Sequence, residues 1–329
     1  MWFKQLTGFQ ETSPAEVRAN LRIEGDSFVA QPSGNKFAFG TLQIPTLLEL
    51  KKQSPPREVY KDKIRVSEVV ADVQVLHELI ENEKALFQAA SQFNLLEMVN
   101  SRISPESGID RYENDHTQGP ACAIACGAGT IYRNYFVKIG SQIGQTTDKQ
   151  IDCLDLIGQE LQNEEMNYWT MQNGYAMFSQ EGLVGLNQKL VSLNTHEREA
   201  LKEKLKTGIQ WNTEVTTSIT RHKVSQIYCS ALPVAYCQVD TPHWEHFSRI
   251  ILEATYEATL YAALINWEKN KSDKVYLTLV GGGAFGNEEP WILESLQLAL
   301  RKFRNTPLDI QVVSYGHSNI NLLKAISEI

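Results

Sequence analysis

A glycine-rich loop near the end of the chain is the first candidate for chemistry. Gly281, Gly282, Gly283 and Gly286 follow the apolar residues 275–280, which we expect to form a buried strand. Without a Cβ atom, glycines adopt positive φ easily and let backbone N–H groups approach a ligand closely. A loop of this kind between a strand and a helix is where α/β proteins hold phosphates, because free amides and the helix dipole both favour an anion.

A helix and a further strand are predicted after this loop. Pro290 suits the first turn of a helix, and residues 308–314 have the composition of a strand. The helix is also predicted by an apolar stripe at helical spacing, formed by Ile292, Leu296, Ala299 and Phe303. Residues 275–315 are therefore predicted to form one strand, loop, helix and strand unit.

Three interpretations of the glycine loop remain open. Gly281, Gly283 and Gly286 match the G-x-G-x-x-G pattern of dinucleotide-binding folds. Those folds place the pattern early in the domain and an acid at the end of the next strand, whereas here that strand ends in Ser314-Tyr315-Gly316. A phosphate loop of another α/β type is favoured, and a purely structural turn is the third interpretation. The acidic residues Glu288 and Glu289 would repel an anion bound at this loop unless both side chains point away from it.

Acidic residues crowd a second loop, at residues 100–118. This polar stretch contains Asp110, Glu113, Asp115 and His116. A long loop inside a compact domain is more often functional than idle, and carboxylates there could stabilise a cationic centre or deprotonate water. The alternative is that the acids are solvated and that His116 is exposed.

Composition excludes several classes of protein. The 329 residues suffice for one large or two modest domains, and 42% hydrophobic with 21% charged residues is typical of a globular protein. A net charge of −8 argues against binding to nucleic acid or to an anionic membrane. We expect a cytoplasmic protein with five reduced cysteines and with neither a metal nor a cofactor, although Cys122 and Cys126 leave a weak metal-site alternative.

The order of the predicted elements indicates the domain organisation. Residues 1–60 should form an N-terminal β-rich extension packed on the core, with a hairpin of residues 28–30 and 37–39. Residues 61–329 should form the main domain, with a helical insertion at 149–206. Small residues throughout 121–136 predict a closely packed helix, with either the sheet or a ligand over its N-terminus as the neighbour. Strands separated by helices indicate an α/β sandwich with a parallel or mixed sheet.

Four motifs, taken in order, resemble those of the macrodomains, which are α/β/α modules that bind ADP-ribose. Residues 69–72 resemble the first core strand and its terminal aspartate. Residues 88–94 are similar to the strand that leads into the catalytic loop, and residues 117–123 stand where the family has a glycine-rich turn into a helix. Residues 279–286 resemble the loop that holds the diphosphate.

The similarity is closest to the MavL-like branch, which removes ADP-ribose from arginine. Residues 89–99, 119–125 and 129–136 are the segments associated with that branch. Gln88 and Ser91 depart from the family, which has asparagine at both positions.

This resemblance implies a fold, an activity and a set of site residues. The fold would be a three-layer α/β/α macrodomain-like sandwich with a mixed central sheet. The activity would be that of an ADP-ribosylhydrolase acting on the N-glycosidic bond of modified arginine in a protein substrate, without a nucleic-acid or membrane partner. Asp115, Asp110 and Glu113 would be the catalytic residues. The substrate-binding residues would be Asp72, Gln92, Asn94, Gln118, Gly119, Gly281, Gly282, Gly283, Ala284, Phe285, Gly286, Asn287 and Tyr315.

The resemblance also implies which part of the ligand each of these residues contacts. Asp72 would contact the adenine, the glycine loop would hold the diphosphate, and Phe285 would cover a ribose. Two alternatives stay open, namely that Asp72 caps the following turn and that Asn94 binds loop backbone instead of a ribose. A non-catalytic ADP-ribose reader is the alternative, because it would keep Asp72 and the glycine loop but would need no acids near Asn94. A nucleotide-dependent oxidoreductase is disfavoured, because the ribose-binding acid is missing.

Overall fold

The structure is a computed structural model that describes residues 1–329 except for the side chain of Glu58. The α-helices of the described chain are α1 (Trp2–Thr7), α2 (Pro14–Asn20), α3 (Leu47–Gln53), α4 (Val73–Glu78), α5 (Gln118–Ala125), α6 (Gly127–Tyr135), α7 (Asp155–Leu161), α8 (Asn163–Met166), α9 (Gln180–Ser192), α10 (Thr195–Lys202), α11 (Glu245–Asn270), α12 (Glu289–Lys302) and α13 (Ile320–Ile326). The strands are β1 (Leu21–Glu24), β2 (Ser27–Ala30), β3 (Lys36–Ala38), β4 (Thr41–Gln43), β5 (Arg65–Val70), β6 (Leu86–Ala90), β7 (Lys138–Ile139), β8 (Gln142–Ile143), β9 (Trp169–Gln172), β10 (Tyr175–Phe178), β11 (Gly208–Glu214), β12 (Lys223–Cys229), β13 (Lys274–Leu277) and β14 (Asp309–Ser314).

A mixed seven-stranded sheet forms the centre of the molecule. Its strands are ordered β4-β11-β12-β6-β13-β14-β5. β11 runs antiparallel to both of its neighbours, and the remaining neighbouring pairs are parallel. The central strands are buried along most of their length, as expected for strands covered on both faces.

Helices cover both faces of this sheet, as the alternation of side chains along β12 shows. The Ser225 hydroxyl donates to Asn266 Oδ1 of α11 at 3.4 Å. The next side chain, Gln226, donates instead to the Cys122 carbonyl of α5 at 2.8 Å. Because successive side chains of a strand point to opposite faces, α11 and α5 lie on opposite sides of the sheet. The α/β fold class with a mixed central sheet, predicted from the sequence, is confirmed.

The N-terminal residues form the expected hairpin and also extend the central sheet. β2 and β3 are antiparallel, with Phe28 opposite Phe37. β4 pairs with β11, so part of the predicted extension supplies an edge strand to the central sheet. A second apolar cluster joins Trp2, Phe3 and Phe28 to Ile109 and to residues of α5 and α6. The N-terminal segment therefore packs directly against the acidic loop.

Two local predictions need correction. Residues 149–206, predicted to be helical, also contain the hairpin of β9 and β10. Its turn is Asn173-Gly174, with φ of 47° and 82°, and Asn-Gly is the sequence that favours such a turn. The predicted helix at 121–136 is divided into α5 and α6, because the Gly127 N–H donates to the Thr216 hydroxyl at 3.0 Å and leaves the helical pattern.

Two further features concern the cysteines and the helices. All five cysteines are unpaired, and four of them are buried. Within the described residues, no helix combines the length and the apolar character needed to cross a membrane.

The contact between the end of β3 and β11 can be tested at Gly40. Gly40 has φ of +72°, and an added Cβ would lie 2.0 Å from the Trp211 carbonyl oxygen. We expect Gly40→Ala to lower the free energy of unfolding by more than about 2 kcal/mol, since positive φ alone costs about 1–2 kcal/mol for alanine. Gly25→Ala is the matched control, because Gly25 has φ of +64° but no heavy atom within 4 Å of the added Cβ. Equal losses for the two variants in urea denaturation would contradict the close contact.

Candidate functional site

A cleft opens where two neighbouring strands of the central sheet diverge. β6 pairs with β12 as far as Ala90, but with β13 only through Leu86 and Phe87. The next strands of this sheet after β6 in the sequence are β11 and β12, which lie on the side of β6 away from β13. The next strand after β13 is β14, which lies on the side of β13 away from β6. Such a switch point at the carboxyl ends of parallel strands is where open α/β sheets bind ligands. The cleft at this point has a volume of about 1000 Å³.

The side chain of Gln118 occupies the gap between the diverging strands. Its Nε2 donates to the Gln88 carbonyl at 2.8 Å, and its Oε1 accepts the Ala90 N–H at 2.8 Å. The neighbouring Gly119 approaches β6 so closely that an added Cβ would lie 2.2 Å from the Ala90 carbonyl oxygen. The first turn of α5 is therefore fixed at the floor of the cleft. Gln118, predicted to bind substrate, lines the cleft with its amide engaged by β6.

The glycine loop forms one wall of the cleft and presents unused amides. Gly282 N donates to the Leu279 carbonyl at 3.1 Å, and Gly286 N donates to the Gly283 carbonyl at 3.1 Å. The N–H groups of Gly283, Ala284 and Phe285 donate to no described residue. Gly283 and Ala284 are exposed, so their amides can bind an anion in the cleft. The phosphate-loop interpretation is thus compatible with the geometry.

The loop is held in this shape by its glycines and by Asn287. Gly281 has φ of +82°, and an added Cβ would lie 2.5 Å from the Ala231 Cβ. The buried Asn287 amide donates to the Leu232 carbonyl at 2.8 Å, which ties the loop to the chain after β12. Gly283 has no heavy atom within 4 Å of an added Cβ, because it faces open space.

Aromatic rings extend the same wall. The Phe285 ring lies 5.4 Å from that of Tyr175 and 5.6 Å from that of Tyr236, measured between centroids. Tyr315 stands at the rim with 73% of its surface exposed. These rings offer flat apolar faces on which a base or a sugar can pack.

Of the predicted catalytic acids, Asp115 and Glu113 line the cleft. Asp115 Oδ1 accepts the Thr117 N–H at 2.9 Å and the Thr117 hydroxyl at 2.7 Å, just before α5. Its Oδ2 accepts no hydrogen bond from the described residues. Glu113 Oε2 accepts the Trp2 N–H at 3.2 Å, so this carboxylate contacts the start of α1.

Asp110 lies outside the lining of the cleft, although it was predicted with the other two acids. It accepts the Phe3 N–H at 3.4 Å, and its own N–H donates to the Glu11 carboxylate at 2.7 Å. Burial raises the pKa of Asp110 and also that of Glu11 above their ordinary values. Both acids therefore join the loop to the N-terminal segment.

The predicted binding residues divide into two groups. Asp72, Gln92 and Tyr315 line the cleft, as do Gly119, Asn287 and the glycine loop from Gly281 to Phe285. Asn94 and Gly286 do not. Asn94 is fully buried and donates to Gln150 Oε1 at 2.8 Å, and Gly286 packs against Ala235. In this structure Asn94 fixes loop backbone, because its Oδ1 accepts the Leu96 N–H at 3.1 Å.

Glu97 is a cleft residue to which the sequence assigned no role. It lines the cleft but is only 3% exposed, and neither carboxyl oxygen accepts a hydrogen bond of normal geometry. Burial raises its pKa to about 8, although Arg133 and the Tyr112 hydroxyl act to lower it. The available signal was a single acid within the apolar run Leu95-Leu96-Glu97-Met98-Val99.

The described residues contain no group of three or more His, Cys, Asp or Glu side chains placed to hold a metal ion. The groups that line the cleft include backbone amides, aromatic rings and carboxylates.

Comparison with known proteins gives remote similarity to solved structures. No protein-family model and no curated protein matches the sequence. Poly(ADP-ribose) glycohydrolase from Thermomonospora curvata, bound to the inhibitor ADP-HPD, is 13% identical with a TM-score of 0.44, covering 96% of this chain and 97% of that chain. The enzyme from Deinococcus radiodurans, in complex with ADP-ribose, is 10% identical with a TM-score of 0.41, covering 88% of this chain and 93% of that chain.

The exposed carboxylate of Asp72 can be tested first for its local role. Asp72 accepts the Gln74 N–H at 2.8 Å and is the N-cap of α4. We expect Asp72→Ala to lower the free energy of unfolding by about 1 kcal/mol, whereas Asp72→Asn should leave it within about 0.5 kcal/mol because asparagine caps equally well. Chemical denaturation measures both. An equal loss in the two variants would show that the charge, and not the cap, stabilises this end of the cleft.

Proposed function

We propose that the protein is an ADP-ribosylhydrolase that removes mono-ADP-ribose from modified arginine side chains of proteins. The observation behind this proposal is that one cleft combines unused amides of its glycine loop with carboxylates among its other lining residues. The amides suit an anionic diphosphate, and the carboxylates suit a cationic guanidinium.

The proposed placement of the ligand begins at the glycine loop. The N–H groups of Gly283, Ala284 and Phe285 would bind the diphosphate, with the Phe285 ring over a ribose. The adenine would lie towards Tyr315 and Asp72, which occupy the rim. The volume of about 1000 Å³ lies at the upper end of the range for small-molecule sites and accommodates a ligand of this size.

The second ribose would then lie near Asp115 and the first turn of α5. Cleavage of its bond to arginine passes through an oxocarbenium-like centre, which a nearby carboxylate stabilises. Asp115 would deprotonate the attacking water with Oδ2, since Thr117 holds Oδ1 and so orients the carboxylate. Glu113 would contribute negative charge for the guanidinium.

Asp110 enters this proposal as a positioning residue. It keeps the acidic loop against α1 through the Phe3 N–H, and the loop in turn presents Asp115 to the cleft. We place the activity in the cytoplasm, because the buried cysteines are reduced thiols. The partner would be an ADP-ribosylated protein, bound through its modified arginine.

A non-catalytic reader of ADP-ribose is the second candidate. It is favoured by one observation, namely that Glu113 and Asp115 both already hold backbone N–H groups of this chain. A carboxylate that accepts backbone N–H groups in this way can stabilise the loop without taking part in catalysis. The reader requires the glycine loop but no turnover, so binding and hydrolysis must be measured separately.

The binding half of the proposal is tested at Gly283. We expect Gly283→Val to lower the affinity for ADP-ribose by at least about tenfold, because the branched side chain occupies the space in front of the free amides. Titration calorimetry should give the strongest binding for ADP-ribose among ADP-ribose, NAD and ATP. Gly158→Ala in α7 is the control, since its added Cβ makes only an ordinary contact with Trp169. Unchanged affinity in a folded Gly283→Val protein would contradict the proposed diphosphate site.

The catalytic half is tested with peptides modified on different side chains. We expect free ADP-ribose to be released from arginine-linked peptides and much less from serine-linked or glutamate-linked peptides, which offer no cation to the carboxylates. Asp115→Asn should lose roughly 10²-fold in turnover while retaining affinity for ADP-ribose, because asparagine still accepts from Thr117.

Asp148→Asn is the matched control, because Asp148 is an exposed acid outside the cleft lining. Equal losses in the two variants would move the catalytic role away from Asp115. Tight ADP-ribose binding without release from any linkage would favour the reader.

A further inference from the structure

We propose that Glu97 is the proton donor of the site, which protonates the arginine nitrogen as it leaves the ribose. This inference rests on the proposed function and adds a catalytic residue to it. It follows from the position of Glu97 in the cleft and from the partners of the other acids around it.

Glu97 lies between the end of β6 and the first turn of α5. An added Cβ at Gly119 would lie 3.1 Å from Glu97 Cγ, so the side chain packs directly against this turn. Gln118 fixes the same turn to Ala90 of β6. The Glu97 carboxyl is therefore held at the floor of the cleft, on the wall that also carries Asp115.

Glu97 differs from the other acids of the cleft in its hydrogen bonds. Five carboxylates line the described cleft, and four of them accept hydrogen bonds from protein groups. The four are Asp72, Glu113, Asp115 and Glu289, whose partners are Gln74, Trp2, Thr117 and the pair Asn319 and Asn321. Neither oxygen of Glu97 accepts a hydrogen bond of normal geometry, and its charged neighbour is Arg133, in an ion pair of 3.6 Å. A buried polar group without hydrogen bonds destabilises a fold, and groups of this kind concentrate at functional sites.

Arg133 of α6 lies near Glu97 but is engaged elsewhere. Its Nη2 is 3.6 Å from Glu97 Oε1, beyond hydrogen-bonding distance. Its Nε donates to the Leu95 carbonyl at 3.0 Å, Nη2 donates to the Thr130 hydroxyl at 3.2 Å, and Nη1 donates to the Tyr228 hydroxyl. Arg133 therefore lies close to the carboxyl without a direct hydrogen bond to it.

The remaining titratable groups that face Glu97 are neutral. The Tyr112 hydroxyl accepts the Glu97 N–H at 3.0 Å, and burial raises the pKa of Tyr112 well above its ordinary value. Burial likewise raises the pKa of Tyr228 on β12 and that of Cys122 on α5. Burial raises the pKa of the Glu97 carboxyl to about 8 although the Arg133 guanidinium acts to lower it, so the carboxyl can hold a proton near neutral pH.

Cleavage and hydration at ribose C1 exchange one proton with each of the two carboxyl groups. The bond between ribose C1 and the guanidine nitrogen breaks, and its electron pair stays on nitrogen, which takes the proton of Glu97. Water adds to C1 and gives one proton to Asp115. Transfer of that proton back to Glu97 through solvent restores both carboxyl groups, and the products are ADP-ribose and an unmodified arginine guanidinium.

The experiment compares pH–rate profiles for release of ADP-ribose from an arginine-linked peptide. For the wild-type protein we expect turnover to fall as the pH rises through about 8, because the donor must be protonated. Glu97→Gln keeps the size and neutrality of the side chain but has no acidic proton. We expect it to lose roughly 10²-fold in turnover, to lose the alkaline fall, and to bind ADP-ribose within about threefold of wild type.

Asp152→Asn is the matched control, since burial raises the pKa of Asp152 to about 6 but its carboxyl lies outside the cleft lining. It should leave the alkaline fall unchanged. Wild-type turnover in Glu97→Gln, or a wild-type profile that stays flat through this range, would overturn the assignment. The pH–rate profile of the wild-type protein requires no variant, so it tests the assignment of Glu97 even if Glu97→Gln does not fold. Failure of the wild-type protein to release ADP-ribose from any linkage would instead overturn the proposed function, and the donor role with it.

Discussion

The divergence of β6 and β13 is the constraint on which the cleft depends. The two strands share only a short stretch of pairing, and beyond it the backbone of β6 has no neighbouring strand on that side. Gln118 satisfies the exposed Gln88 carbonyl and Ala90 N–H, as a strand would, while belonging to the first turn of α5. Because buried backbone groups must be paired, this single side chain both closes the sheet and fixes the helix that faces the ligand. Only glycine at position 119 permits the close approach that follows.

A second constraint acts on the acidic loop, whose shape is set by the N-terminal segment. Glu11 accepts the N–H groups of Ile109 and Asp110, while Asp110 and Glu113 accept N–H groups from the start of α1. These contacts are reciprocal, and apolar packing around Ile109 supports them. The charge of the loop is thus used largely for its own structure, while Asp115, Glu113 and the separate Glu97 line the cleft. Residues 1–60 therefore bear on the site although only their first few residues reach it.

Much of this arrangement could be predicted from local sequence signals. The strand, glycine loop and helix after residue 275 follow from composition and spacing, and Asp72 and Gln92 belong to the segments 69–72 and 88–94 that resemble strands of the macrodomains. What local signals could not supply is the order of strands in the sheet, which decides where β6 and β13 part. For the same reason Asn94 was predicted in the site although it turns towards Gln150, and Glu97 was not assigned a role although it lies in the cleft. Both outcomes depend on contacts between distant parts of the chain.

The two walls of the cleft place different demands on a ligand. The glycine wall offers hydrogen-bond donors that favour negative charge, whereas the wall formed by Glu97, Glu113 and Asp115 favours positive charge. Under the proposed function, an ADP-ribosylated arginine satisfies both walls at once, with its diphosphate on one and its guanidinium near the other. After cleavage each product satisfies only one wall, and the newly ionised Glu97 would add negative charge beside the released sugar. The same charges that select the substrate would therefore weaken the hold on ADP-ribose once the guanidinium has left, which favours turnover over retention.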